Sequence, residues 1–125
     1  MITVIVVDDH RLVRAGLEQL LSLTDDIRVV GSASDGSTAQ VLVDERRPDV
    51  VLMDISMPGV DGIQATRQLL ARHPATRVLV LTSVSDQERI LESLDAGAVG
   101  YLMKDCDPDE LFKGIRAAAA ASGCA

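Results

Sequence analysis

Four short apolar runs, at residues 4–7, 50–53, 78–81 and 98–102, recur along the chain with helix-length amphipathic sequence between them. None alternates strictly between apolar and polar residues, which is the pattern of parallel strands buried on both faces. Polar residues stand just past each run: Asp8 and Asp9, then Asp54, then Thr82, then Lys104. If the strands lie side by side in a doubly wound α/β sheet, all five groups share the rim made by the strands' carboxyl ends, where such sheets place their function.

A chain of 125 residues makes one domain and buries roughly two thirds of the surface its unfolded form exposes, so it needs no disulfide or structural metal. Cys106 and Cys124 are too few and too late for a zinc site or a disulfide framework, and a reducing compartment is expected. No signal-peptide pattern or membrane-length apolar stretch is present, so the expected location is the cytoplasm, away from membranes. The formal charge of -7, from 19 acids and 12 bases, gives little non-specific affinity for phosphate backbones.

Five strand and helix pairs are predicted. The first helix carries Val13, Leu17, Leu20 and Leu21 on one stripe, and residues 27–30 form an edge strand in which Arg28 is tolerated. Asp35 is placed to cap a second helix that turns Ala39, Leu42 and Val43 inward, before Pro48 resets the chain. Residues 57–59, Met-Pro-Gly, make a turn. Asp61 and Gln64 form a capping box for a helix bearing Ile63, Thr66, Leu69 and Leu70. Ser85 and Glu88 form another such box, and Gly97 ends that helix, whose apolar face is only Ile90, Leu91 and Leu94. So thin a face marks it as a candidate for movement. Asp107-Pro108 opens a last helix that buries Leu111, Phe112 and Ile115.

Asp8, Asp9 and Asp54 on neighbouring strand ends bring three negative charges together, which raise one another's pKa unless something neutralises them. Magnesium suits the set, because it is hard, binds through one or two carboxylates and keeps oxygen ligands elsewhere. A carboxylate beside that cation, with Lys104 and Thr82 reaching over it, is equipped to accept a phosphoryl group. Asp54 is then the nucleophile that forms an acyl phosphate, Lys104 a charge on one phosphoryl oxygen and Thr82 a hydroxyl donor to another. Each residue alone has an ordinary explanation in capping, turn chemistry, packing or surface charge. Together, at four strand ends, they would require four coincidences.

Val-Asp-Asp-His at 7–10, Leu-Met-Asp-Ile-Ser-Met-Pro-Gly-Val-Asp-Gly at 52–62, Leu-Thr-Ser at 81–83 and Gly-Tyr-Leu-Met-Lys-Asp at 100–105 carry a resemblance across nearly the whole chain. It resembles the receiver domain of two-component response regulators, with wording most similar to the NarL/FixJ (LuxR-type) class. The resemblance implies a flavodoxin-like (βα)5 fold, a five-stranded parallel sheet in the order 2-1-3-4-5. It makes Asp54 the acceptor of a phosphoryl group from a sensor histidine kinase. Asp9, Asp54 and the backbone carbonyl of Ser56 become direct Mg2+ ligands, with Asp8 acting through water. Thr82 and Tyr101 become a switch pair, the ring turning inward as Thr82 moves toward the phosphoryl group, although a half-buried aromatic on an edge strand is also the ordinary reading of Tyr101.

The same resemblance implies a homodimer on phosphorylation and a transcription regulator whose receiver, 1–121, is followed from 122–125 by the start of a linker. DNA binding then belongs to a helix-turn-helix domain absent from this chain. One departure is Asp105 where many receivers have proline after the lysine in a cis peptide; a cis bond before a non-proline residue costs about 3 kcal/mol. Another is Ser83, which adds a hydroxyl after Thr82. Three alternatives stay open. A phosphatase of the haloacid-dehalogenase type would need an Asp where Ser56 stands, and a flavodoxin would need a Ser, Thr and Gly-rich loop where the chain reads Asp8-Asp9-His10-Arg11. A pseudo-receiver would keep the fold as an interaction module without being phosphorylated.

Overall fold

In the three central strands, successive side chains point to opposite faces and nearly all are apolar, so the sheet must be covered on both sides. The computed structural model describes residues 1–55, 62–83 and 89–121. Its elements are β1 (Ile2–Val7), α1 (Arg11–Leu21), β2 (Ile27–Ala33), α2 (Gly36–Arg46), β3 (Val50–Asp54), α3 (Gly62–Arg72), β4 (Arg77–Thr82), α4 (Ile90–Asp95), β5 (Gly100–Met103) and α5 (Pro108–Ala120). All pairings are parallel. The order is β2-β1-β3-β4-β5, as expected.

Alternation divides the core in two. Ile5, Val7, Val51, Met53, Val78 and Val80 pack with Ala39 and Val43 of α2 and Ile63 and Leu69 of α3. Val4, Val6, Val50, Leu52, Leu79 and Leu81 pack with Leu21 of α1 and Leu111 and Ile115 of α5. Each large side chain removed from water in these layers contributes about 1.5–3 kcal/mol.

Local signals set most boundaries. Asp35 caps α2 by accepting from the Thr38 N–H at 2.7 Å. Gly97 ends the α4 turn at φ 111°, a left-handed conformation that suits glycine. Asp107 occupies the N-cap position of α5, ahead of Pro108, but makes no side-chain capping bond. The far end of α5 is tied to β4, since the Arg77 guanidinium donates through Nε to the Ala121 carbonyl.

Several expectations are corrected. β2 is longer than residues 27–30, because a register shift opposite Val4 and Ile5 inserts an extra residue and lets pairing run on to Ala33. The last strand begins at Gly100; Ala98 is buried ahead of it. Val13 lies at the open end of its stripe and is over a third exposed, whereas Leu21 is fully buried and Leu17 and Leu20 are partly so. On α4, Leu91 is 74% exposed and Leu94 also faces outward. Ser93 is buried there instead, its hydroxyl satisfied by the Ile90 carbonyl at 2.7 Å.

The 57–59 turn, both proposed capping boxes, Cys124 and the 122–125 linker involve residues outside the described ones. Cys106 is a free thiol; partial burial, then the charges of Glu110, Asp105 and Asp107, push its pKa up. Among the described residues, no helix is long and apolar enough to cross a membrane.

Candidate functional site

The carboxyl ends of β1, β3, β4 and β5 form one rim. Asp8 follows β1 directly, its N–H donating to the Ala33 carbonyl of β2 at 3.0 Å. Its Oδ1 accepts from the His10 N–H at 2.8 Å, a local turn that orients the carboxylate as α1 begins. Its carbonyl accepts from Arg14 Nη1 at 2.6 Å. Asp54 is the last residue of β3 and, like Asp8, is wholly buried. Lys104 leaves β5 with its N–H donating to the Thr82 carbonyl at 2.7 Å. That bond aims the side chain back across the rim, where Nζ lies 3.0 Å from Asp54 Oδ1 and 3.5 Å from Asp8 Oδ2.

Electrostatics follow from this placement. Burial alone would lower the Lys104 pKa, but the hydrogen bond and charge of Asp54, then the charge of Asp8, outweigh it and hold the ammonium above the usual lysine value. One ligand atom from each of Asp8, Asp9, His10 and Asp54 lies within 4.8 Å of the others. Asp8 Oδ2 and Asp9 Oδ1 are buried and accept no hydrogen bond, although Lys104 and His10 face them at 3.5 and 3.0 Å. Buried carboxylate oxygens in that condition are costly unless a cation completes them. A hard divalent ion with several oxygen ligands fits the donor set.

The response regulator receiver domain family matches residues 4–116. The chain belongs to that family. It is 47% identical over 88% of its length to the uncharacterized transcriptional regulatory protein YhcZ of Bacillus subtilis, covering 51% of that protein. Among solved structures, a LuxR-family two-component response regulator from Aurantimonas matches with a TM-score of 0.89 and 38% identity, covering 94% of this chain and 84% of that one. The signal receiver domain of the putative response regulator NarL from Mycobacterium tuberculosis matches with a TM-score of 0.88 and 37% identity, covering 94% and 95%. The relatives are transcriptional response regulators of the NarL/LuxR type, as the motif wording implied. This receiver domain spans about half the length of the curated relatives it matches. Family membership sets aside the flavodoxin and phosphatase alternatives.

The receiver domain therefore brings Asp8, Asp9, Asp54 and Lys104 together as predicted. Thr82 sits buried at the end of β4, and its hydroxyl donates to the Ser83 carbonyl at 3.3 Å. Tyr101 lies on the β5 edge strand and is 46% exposed. Ser56 lies outside the described residues.

Four supporting residues were not singled out as site residues from the sequence. His10 follows the acid pair and carries the ring just described. Arg14, one turn into α1, holds the Asp8 carbonyl. Arg89 donates through Nη1 to the Ile55 carbonyl at 2.9 Å, tying the start of α4 to the chain just past Asp54. Gly62 presses against the same segment, since a Cβ there would lie 2.2 Å from the Asp54 carbonyl oxygen and 2.6 Å from Ile55 Cα. The only sequence signal for Gly62 is a glycine opening an otherwise ordinary helix.

Proposed function

We propose that this receiver domain is the phosphoacceptor switch of a cytoplasmic two-component system, taking a phosphoryl group on Asp54 from a sensor histidine kinase. The observation that carries the reading is the Lys104 ammonium lodged between two buried carboxylates on neighbouring strand ends.

An Asp54 carboxylate oxygen attacks the phosphorus of a phosphohistidine. The P–O bond of an acyl phosphate forms as the P–N bond breaks, and the departing imidazole leaves with the N–P electron pair and takes up a proton. Lys104, already against Asp54, pairs with a phosphoryl oxygen as negative charge spreads over the transferring group. Thr82, at the next strand end, is the hydroxyl donor to another oxygen. Asp8, Asp9, Asp54 and the Ser56 carbonyl would hold Mg2+, which when bound neutralises charge on the acids and the phosphoryl group.

For output, Thr82 and Tyr101 form the switch pair, coupled to the lightly buried α4. Homodimerisation follows phosphorylation. Residues 122–125 start a linker to a DNA-binding helix-turn-helix domain, through which the full protein controls transcription.

The test is intact-protein mass after incubation with acetyl phosphate, with and without Mg2+, on wild type and Asp54→Asn. One Mg2+-dependent phosphoryl adduct, absent from Asp54→Asn, is expected. No adduct on wild type would defeat the reading and favour a pseudo-receiver.

A further inference from the structure

His10 is the one member of the rim's donor cluster that is not an acid. Its Nδ1 lies 3.0 Å from Asp9 Oδ1 and 3.2 Å from Asp8 Oδ1, while its own backbone N–H is bound to Asp8 Oδ1 at 2.8 Å. The main chain thus tethers the ring beside the two carboxylates. The ring is held there by its hydrogen bond to Asp8 Oδ1 and its closeness to Asp9, not by packing or capping: the side chain is 65% exposed, and at the N-cap of α1 it makes no side-chain capping bond. The oxygens around it supply the second observation. Asp8 is wholly buried, and its Oδ2 and Asp9 Oδ1 accept no hydrogen bond.

We infer that His10 is a direct metal ligand through Nδ1, which makes the rim a mixed nitrogen and oxygen site that takes borderline divalent ions such as Zn2+ more tightly than Mg2+. The inference rests on the metal site proposed above and adds a donor to it. An imidazole nitrogen does little for Mg2+, which is hard and prefers oxygen, but it suits zinc and its transition-metal neighbours. Because the ring is largely in solvent, it can approach or leave the cation without disturbing the core. Zn2+ and Mg2+ then compete for the same carboxylates.

The experiment uses untagged protein and two readouts besides phosphorylation. Pulsed electron paramagnetic resonance of substoichiometric bound Cu2+, an ion that favours imidazole as Zn2+ does, should show coupling to an imidazole nitrogen in wild type. The coupling should vanish in His10→Gln and persist in His73→Gln, which alters the chain's other histidine at the opposite end of the sheet. Calorimetric titration with Zn2+ and Mg2+ should show Zn2+ affinity falling at least about tenfold in His10→Gln, the lower end of what disturbing even an indirect metal contact costs, with a much smaller change for Mg2+.

Wild type that binds Cu2+ without nitrogen coupling, or His10→Gln that keeps its Zn2+ affinity, overturns the ligand assignment. Mg2+-dependent phosphorylation of the same wild-type sample would then leave the phosphoacceptor reading standing. Wild type that binds none of the three ions overturns both.

Discussion

Lys104 touches two buried carboxylates at once, so removing it takes one positive charge from beside both. Lys104→Ala should lower stability in metal-free buffer by about 1–3 kcal/mol, between the worth of an exposed ion pair and the cost of breaking a buried one. Urea midpoints with chelator and with Mg2+ check this: Mg2+ should recover more stability in the variant than in wild type, and equal midpoints would count against the pairing. Because the folded pKa of Lys104 is raised, its contribution is complete below the ordinary lysine range and disappears as pH climbs through the raised value. Gly62→Ala acts through backbone instead. Its Cβ would meet the Asp54 carbonyl, which has no side-chain freedom to yield, so about 1–3 kcal/mol should be lost and acyl phosphate should form more slowly, measured by denaturant unfolding and by the mass assay. Lys104 was legible because it follows a strand in a recurring pattern. Gly62 was not, because its reason is a backbone eight residues away that no local periodicity reveals.

At the scale of elements, α4 is the exception among the helices. Of its six residues only Ser93 is buried, and Arg89 ties its start to the Ile55 carbonyl. Backbone amides of Ile90–Asp95 should therefore exchange with solvent faster than those of the other described helices, and α3 and α5 should be among the slowest. Hydrogen exchange read by mass spectrometry decides it, and protection of α4 equal to that of α3 would refute it. The strands and their parallel order were readable because double-sided burial leaves continuous apolar runs. The thinness of the α4 apolar face was readable, but its inward residue was not, because Ser93 takes that place by satisfying its hydroxyl within its own helix while Leu91 and Leu94 face outward. The β2 extension escaped for a related reason: the extra residue that shifts register is apolar like its neighbours, so nothing in the sequence marks it.

For the whole molecule, the acid excess is managed by local partners. Asp26 is held low chiefly by its hydrogen bond to Arg116, Asp35 by the Thr38 N–H and Asp44 by His73. Stability linked to such groups is present above the ordinary aspartate range and is lost as pH falls through their lowered values. Urea midpoints should therefore drop below about pH 4, and Asp35→Asn, which keeps a capping acceptor but cannot ionise, should show a shallower drop; an unchanged slope would refute its share. Finally, α5 begins four residues after Lys104 and ends where Arg77 grips the Ala121 carbonyl. At 1.5 Å per residue, its length is about 20 Å. Ala121 thus lies at the pole opposite the acidic rim. The helix is thus a stiff rod with one end beside the rim and the other clamped at the far pole, so that any tilt at its Lys104 end would turn about Arg77 as a lever turns about its fulcrum.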